Sequence, residues 1–181
     1  MSGRRGSRDS ERSIPPVAQL SLLDRLIDEE PDKLRDPPLS AADSIAVLRH
    51  SIRRDLEALL NSRRRWRSWP QGYSELGVSP VGYGISDFAA GAFNDPRRRE
   101  WLRSDLEQTI RRFEPRLAHL RVTLIEPKER LEARLHLRID ALLHVEPAPE
   151  PIAFDTLVDA ATAEVMVKHG GAGLASRSDD V

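Results

Sequence analysis

Arg112-Phe113-Glu114-Pro115-Arg116-Leu117 is the stretch at which the periodicity of the chain changes, and its reading decides the fold. Upstream, Trp101, Leu102, Leu106, Ile110 and Phe113 recur at the spacing of a helix with one buried stripe. Downstream, Leu120, Val122 and Leu124 alternate with Arg121 and Thr123, the period of a strand. Pro115 lacks a backbone N–H and disfavours helical geometry in the residue before it, so Glu114 is predicted to be the last near-helical position. A carboxylate there faces the negative end of the helix dipole and should seek a cation. Arg116 points the same way along an extended chain, and Arg111 and Arg112 lie nearer the helix end. A guanidinium grips a carboxylate with two parallel hydrogen bonds. The stretch therefore reads either as a corner locked by an internal ion pair or as the same pair turned towards a partner protein. The residues leave both readings open.

Working outward, Asp95-Pro96 supplies an N-cap with proline in the first turn of that helix. An earlier helix is marked by Ile45, Leu48, Ile52, Leu56 and Leu59, with Ser40 or Asp43 as its cap and Arg49, Arg53, Arg54, Asp55 and Glu57 on its other face. Beyond the corner, Leu135, Leu137, Ile139 and Ala141 alternate with Arg134, His136, Arg138 and Asp140, a strand wet on one face. Residues 146–151 read as an extended link, 152–156 open another strand, and 164–167 pair back as a hairpin. Near the start, Leu20, Leu23, Leu26 and Ile27 share one face of a short helix that Pro31 ends. The expected fold class is α+β: two main helices packed on one face of an antiparallel sheet, with a short N-terminal helix and disordered tails. The expected domains are a disordered Arg-rich arm (1–15), the short helix with its Pro-containing link (16–38), the α+β body (39–168) and a flexible tail (169–181).

Composition excludes several classes. Basic and acidic residues, 28 and 29, nearly cancel at −1, so no global field steers the chain to nucleic acid or membrane. Lys33, Lys128 and Lys168 are the only lysines; arginine suits forked ion pairs at interfaces, and a GC-rich genome gives the same bias. Zero cysteines exclude disulfides and thiolate metal sites, and no apolar run approaches a membrane span or a signal-peptide core. A cytoplasmic protein is expected.

The search for chemistry returns little. A glycosidase needs two carboxylates across the sugar bond, one of them protonated. Glu114 stands among Arg111, Arg112 and Arg116, the opposite of the apolar setting a general acid needs. His136 and His144 share a strand face but lie about 26 Å apart along a straight strand. No metal-binding helix motif, nucleophile elbow or phosphate loop is present, and no cofactor or catalytic residue is expected. Arg63, Arg64, Arg65 and Arg67 with Trp66 and Trp69 form the one patch suggestive of nucleic acid. It is short, and Pro70, Gly72 and Gly77 make it a loop, so a solvated rim or a protein contact is preferred.

Several peptides resemble one family, in order, across most of the chain. The Glu114-Pro115-Arg116 corner is similar to the central motif of the baseplate wedge family of contractile phage tails. The stretch 51–63 resembles the first helix of its bacterial branch, the type VI secretion subunit TssE, with Ser62 where the family usually has Thr. Ser21-Leu22-Leu23-Asp24-Arg25-Leu26, the turn 81–88 and the peptide 151–156 also resemble that branch, with Ser86 at a position the family gives to proline. The resemblance implies a non-enzymatic structural subunit that joins TssF and TssG to the contractile sheath, beside the inner tube or spike, in a membrane-docked baseplate. It implies that Glu114, Pro115 and Arg116, with Arg53, Arg54 and Asp55, meet those partners, and that an accessible sheet edge exchanges strands with the first sheath ring. The alternatives are a wedge protein of a phage-like particle, a nucleic-acid-binding protein and a lysozyme-like glycosidase.

Overall fold

The computed structural model describes residues 21, 24, 26, 31–32, 40–66, 68–87, 95–125, 134–145, 148–159 and 161–171. The Arg-rich arm, most of the short first helix with its link, and most of the C-terminal tail lie outside them. Helix α1 spans Ala41–Asn61 and α2 spans Pro96–Phe113. Ser40 is the cap of α1: its hydroxyl accepts from the Asp43 N–H at 3.2 Å, and Asp43 sits in the first turn beside the positive end of the dipole. Asp95 caps α2, accepting from the Arg97 N–H at 2.9 Å, with Pro96 at the first helical position. Leu48, Ile52, Leu56, Leu59 and Leu60 form the buried stripe of α1. That of α2 is Leu102, Leu106, Thr109 and Ile110. Trp101 is not part of it. It lies about 100° round the helix from Leu102 and is 53% exposed.

Four strands follow, β1 Leu117–Ile125, β2 Arg134–Leu143, β3 Glu150–Asp159 and β4 Val165–His169. They form one antiparallel meander in the order β1-β2-β3-β4. β3 begins at Glu150, inside the expected link, and β4 includes His169. Alternate residues point inward, among them Leu137, Ile139, Leu143, Phe154 and Val158, and both helices cover that face. Full burial of each such side chain stabilises the fold by about 1.5–3 kcal/mol. α1 packs on β4, α2 on β1, and the helices touch each other. Pairing of β1 with β2 slips by one residue between Ala118 and Arg121, where His119 takes φ +49°. This is a bulge that bends β1 out of the corner.

The sheet edges are not open along their middles, contrary to the expectation above. On β4, Asn61 accepts from the Val165 N–H at 2.9 Å and donates to the Val165 carbonyl at 2.8 Å. Arg53 donates to the Val167 carbonyl at 3.4 Å, and the Val167 N–H reaches Glu57 at 3.5 Å. On β1, Arg103 donates to the Val122 carbonyl at 3.1 Å, Glu107 accepts from the Val122 N–H at 3.2 Å, and Arg111 donates to the Leu120 carbonyl at 3.0 Å. Each helix thus lays side chains over the outward backbone groups of the strand it packs against.

Candidate functional site: a carboxylate–guanidinium corner

Glu114 is the C-cap of α2, with φ −122° and ψ 74°, and its N–H still bonds the Ile110 carbonyl at 2.8 Å. The chain then turns at Pro115 and enters β1, the Leu117 N–H closing the turn on the Glu114 carbonyl at 3.2 Å. Glu114 is only 4% exposed. A carboxylate so buried needs a partner, and Arg116 provides it as a fork: Nε donates to Oε1 at 2.6 Å and Nη2 donates to Oε2. Arg116 continues to Asp55 Oδ2 at 2.7 Å and to Ser51 Oγ at 3.4 Å, both on α1. The hydrogen bond to Glu114 raises the Arg116 pKa above the ordinary guanidinium value, against the pull of burial. The corner therefore joins α2, β1 and α1.

The network runs on to the N-terminal segment. Arg54 holds Asp55 Oδ1 through Nη2 at 3.0 Å and Nε at 3.2 Å, and the same Nη2 donates to Asp24 Oδ1 at 2.8 Å. The other Asp24 oxygen accepts from the hydroxyls of Ser21 and Ser51, each at 2.5 Å. Burial pushes the Asp24 carboxyl up. The hydrogen bonds from Ser21, Ser51 and Arg54 and the Arg54 charge outweigh it and leave the pKa at about 2. Ser21 also accepts from the Asp24 N–H at 3.2 Å, the geometry of a helix-capping serine. Around the corner lies a shallow depression of about 350 Å3, walled by Tyr83, Phe113, Pro115 and Asp55. Tyr83 packs edge-on against Phe113 with centroids 5.3 Å apart. Burial, then the charges of Asp55 and Glu114, raise its hydroxyl pKa.

Tyr83 is held there by the preceding loop. Ile85 pairs in parallel with Arg63, through N–H to carbonyl bonds of 2.9 and 3.0 Å. Gly84 takes φ +98°, and a Cβ would sit 2.5 Å from the Ser62 carbonyl oxygen, so no other residue fits without moving the backbone at the end of α1. Ser86 is tied into this turn at two points. Its N–H donates to Asp105 Oδ2 at 3.0 Å, a bond proline cannot make, and its hydroxyl accepts from Arg64.

Of the expected contact residues, the structure brings Glu114, Pro115, Arg116, Arg54 and Asp55 together. Arg53 is elsewhere, paired with Glu57 at 2.8 Å on the β4 side. Arg111 and Arg112, the other candidate cations for Glu114, go to Glu107 with the Leu120 carbonyl and to the Gly77 carbonyl. The basic–aromatic patch is dismantled. Arg63 donates to the Leu60 and Ala163 carbonyls, and Arg64 is spent on Ser86 and on Asp105 at 3.2 Å. Arg65 and Trp66 are exposed, and Arg67 lies outside the described residues. Among the described residues no cluster of His, Asp or Glu could hold a metal ion, and no helix is long and apolar enough to cross a membrane. Sequence reasoning missed Asp24, Ser51 and Tyr83 as members of the site. The one available signal was that Ser51 and Asp55 lie four apart on one helix face.

A two-layer α+β module whose most elaborate polar feature locks an interior corner and opens onto a shallow, charged surface has the character of an assembly component. The chain belongs to the family of baseplate wedge protein gp25, whose model matches residues 46–148, more than half of its length. The matched stretch carries most of α1, all of α2, the corner and β1–β2. The peptides at 21–26 and 151–156 lie outside it. No curated protein matches the chain. Membership makes it a structural component of a contractile baseplate that interacts with other baseplate subunits.

Proposed function

We propose that the protein is the wedge subunit of a type VI secretion baseplate and that the face around Glu114, Pro115 and Arg116, with Arg54 and Asp55, is where it meets TssF and TssG. One observation supports this most: the Glu114 carboxylate is buried in its fork with the half-buried Arg116, while Pro115, Asp55, Arg54 and Tyr83 around it keep solvent-facing surface. A buried lock beneath an exposed polar rim gives a rigid surface that a partner reads without reorganising it. Contact with sheath subunits, and the start of sheath assembly, belong on this reading to the sheet-edge side of the molecule. There, Arg53 guards β4.

The test is capture of tagged protein from its native cells under mild lysis, with mass spectrometry of what accompanies it. Recovery of TssF, TssG and sheath subunits is expected. Phage-like structural proteins instead would make it the wedge of a phage-like particle, and nucleic acid or cell-wall material alone would overturn the baseplate assignment of the partners. Tyr83→Ala and Pro115→Ala alter the exposed rim and leave the fork in place. Both should weaken recovery of TssF and TssG while the variants remain folded. Unchanged recovery from both would move the contact to another face.

A further inference from the structure

We propose that Ser51 and Arg54 form a receptor for an acidic side chain, that Asp24 fills it in cis, and that an acidic residue of a protein partner takes Asp24's place. The inference deepens the wedge-contact reading above and rests on it for the partner's identity. The receptor itself stands on geometry. Asp24 accepts from Ser21, Ser51 and Arg54 and its side chain is 8% exposed, so it is seated rather than grazing the surface. Among the described residues of its segment these seating contacts are polar, and Leu26, two residues further on, is 80% exposed.

Three features make the seat exchangeable. First, neither guanidinium is orphaned when Asp24 leaves, and the one donor that loses its acceptor is the Ser51 hydroxyl. Arg54 keeps both bonds to Asp55, Arg116 keeps Glu114 and Asp55, and Ser51 keeps its 3.4 Å contact with Arg116. A buried group left unpaired is what normally makes such a loss expensive. Second, the charges admit one guest at a time: with Asp24 docked, two guanidiniums (Arg54, Arg116) face three carboxylates (Asp24, Asp55, Glu114), and without it they balance. A second carboxylate therefore replaces Asp24 rather than joining it. Third, Ser21 of the same segment lines the depression beside Glu114, Pro115 and Tyr83, so a partner settling on the corner meets the segment at once. Fifteen residues, including Pro31, Pro37 and Pro38, separate Asp24 from the cap of α1. A tether of that order holds a ligand at an effective concentration near ~1 mM, enough to exclude weak acidic competitors and yield to a specific one.

The experiment uses the full chain carrying Asp24→Ala, which vacates the seat, and a fluorescein-labelled peptide of residues 18–29 added in trans and followed by anisotropy. Saturable one-to-one binding to the D24A chain is expected, at least tenfold weaker binding to the wild-type chain, and none by the same peptide carrying Asp24→Asn. Arg54→Ala in the D24A background should abolish binding while circular dichroism stays that of the folded chain. The receptor is overturned if folded D24A chain ignores the peptide, if wild type and D24A bind it equally, or if R54A leaves binding intact. Purified TssF–TssG should then displace the peptide and hold D24A more tightly than wild type. Wedge subunits that bind without displacing it overturn the exchange. Wedge subunits that bind neither chain overturn both the exchange and the baseplate reading, with the cis receptor still decided by the peptide.

Discussion

Replacing Arg116 by alanine tests whether the corner is a lock or a decoration. Glu114 is 4% exposed and takes its side-chain hydrogen bonds from residue 116: two from the guanidinium, and one from the backbone N–H at 3.3 Å. R116A leaves only the long backbone bond, so a buried carboxylate loses its counter-charge. Asp55 is less affected, because Arg54 still holds it. Removing one member of a buried pair costs about 3–5 kcal/mol, which for a chain of this size lowers Tm by roughly 6–20 °C. The opposite single change is milder. Glu114→Gln leaves Arg116 with Asp55 as its counter-charge, at a cost of about 1–2 kcal/mol. Removing both partners in E114M/R116M should return stability to within about 2 kcal/mol of wild type, since apolar replacement of a buried pair is often near neutral. Urea denaturation followed by far-UV circular dichroism at pH 7 gives all four values. R116A within about 1 kcal/mol of wild type, or a double variant no more stable than R116A, would refute the argument.

The remaining predictions concern the supports of the site. Ser86→Pro deletes the N–H that bonds Asp105 and the hydroxyl that accepts from Arg64; it should destabilise the chain by about 1–3 kcal/mol in the same assay, and an S86P chain as stable as wild type would show the turn to be set elsewhere. Asn61→Ala exposes both backbone groups of Val165 and should speed hydrogen exchange at that amide tenfold or more. In the wild-type chain, 1 M salt should speed exchange at Val122, beneath charged caps, more than at Val165, beneath a neutral one. Asp24 titrates at about 2 instead of 3.8, so its docking contributes stability above pH ~4 that is lost as pH falls towards 2. The difference between wild type and Asp24→Asn, of order 1 kcal/mol after solvent screening, should be full at pH 6 and vanish near pH 2. A difference that grows on acidification would reverse the assignment.

Much of the architecture was legible because it rests on periods and punctuation. The two-residue alternation of Leu135, Leu137, Ile139 and Ala141 and the stop at Pro115 needed no tertiary knowledge, and β2 and the corner appear where they imply. Trp101 shows the limit. It extends an apolar run by one residue and so looked buried, but its neighbour Leu102 holds the inward position. The Glu114–Arg116 pairing was legible because both partners sit within three residues. Asp24 and Ser51 were not, because their contacts with the corner span 27 to 65 positions of sequence. Arg64 misled for the same reason: an arginine beside a tryptophan suggests a basic surface until Asp105, 41 residues away, claims it.

The covered sheet edges follow one pattern. Side chains four apart on a helix share one face, and outward backbone groups recur at every second residue of an edge strand. On α1, Arg53 and Glu57 meet the carbonyl and N–H of Val167 and Asn61 meets Val165; on α2, Arg103 and Glu107 meet those of Val122 and Arg111 meets the Leu120 carbonyl, each trio running antiparallel to its strand. In the sequence both trios look like ion pairs of a solvated helix face. In the fold they occupy the hydrogen-bonding groups that would otherwise invite a foreign strand. A strand that joins either edge must first displace three bonds on β1 or four on β4, worth about 0.5–1.5 kcal/mol each, and its own main-chain bonds have to exceed that cost. The two covers are unequal. Asn61 seats a neutral amide on both groups of one residue, whereas the β1 cover depends on Arg103 and Arg111 converging on Glu107, with Arg111 largely in solvent. If sheath strands enter by edge pairing, β1 is the edge that yields first, because all of its cover can be drawn away by a competing charge, whereas on β4 only the Arg53–Glu57 part can and the Asn61 part cannot.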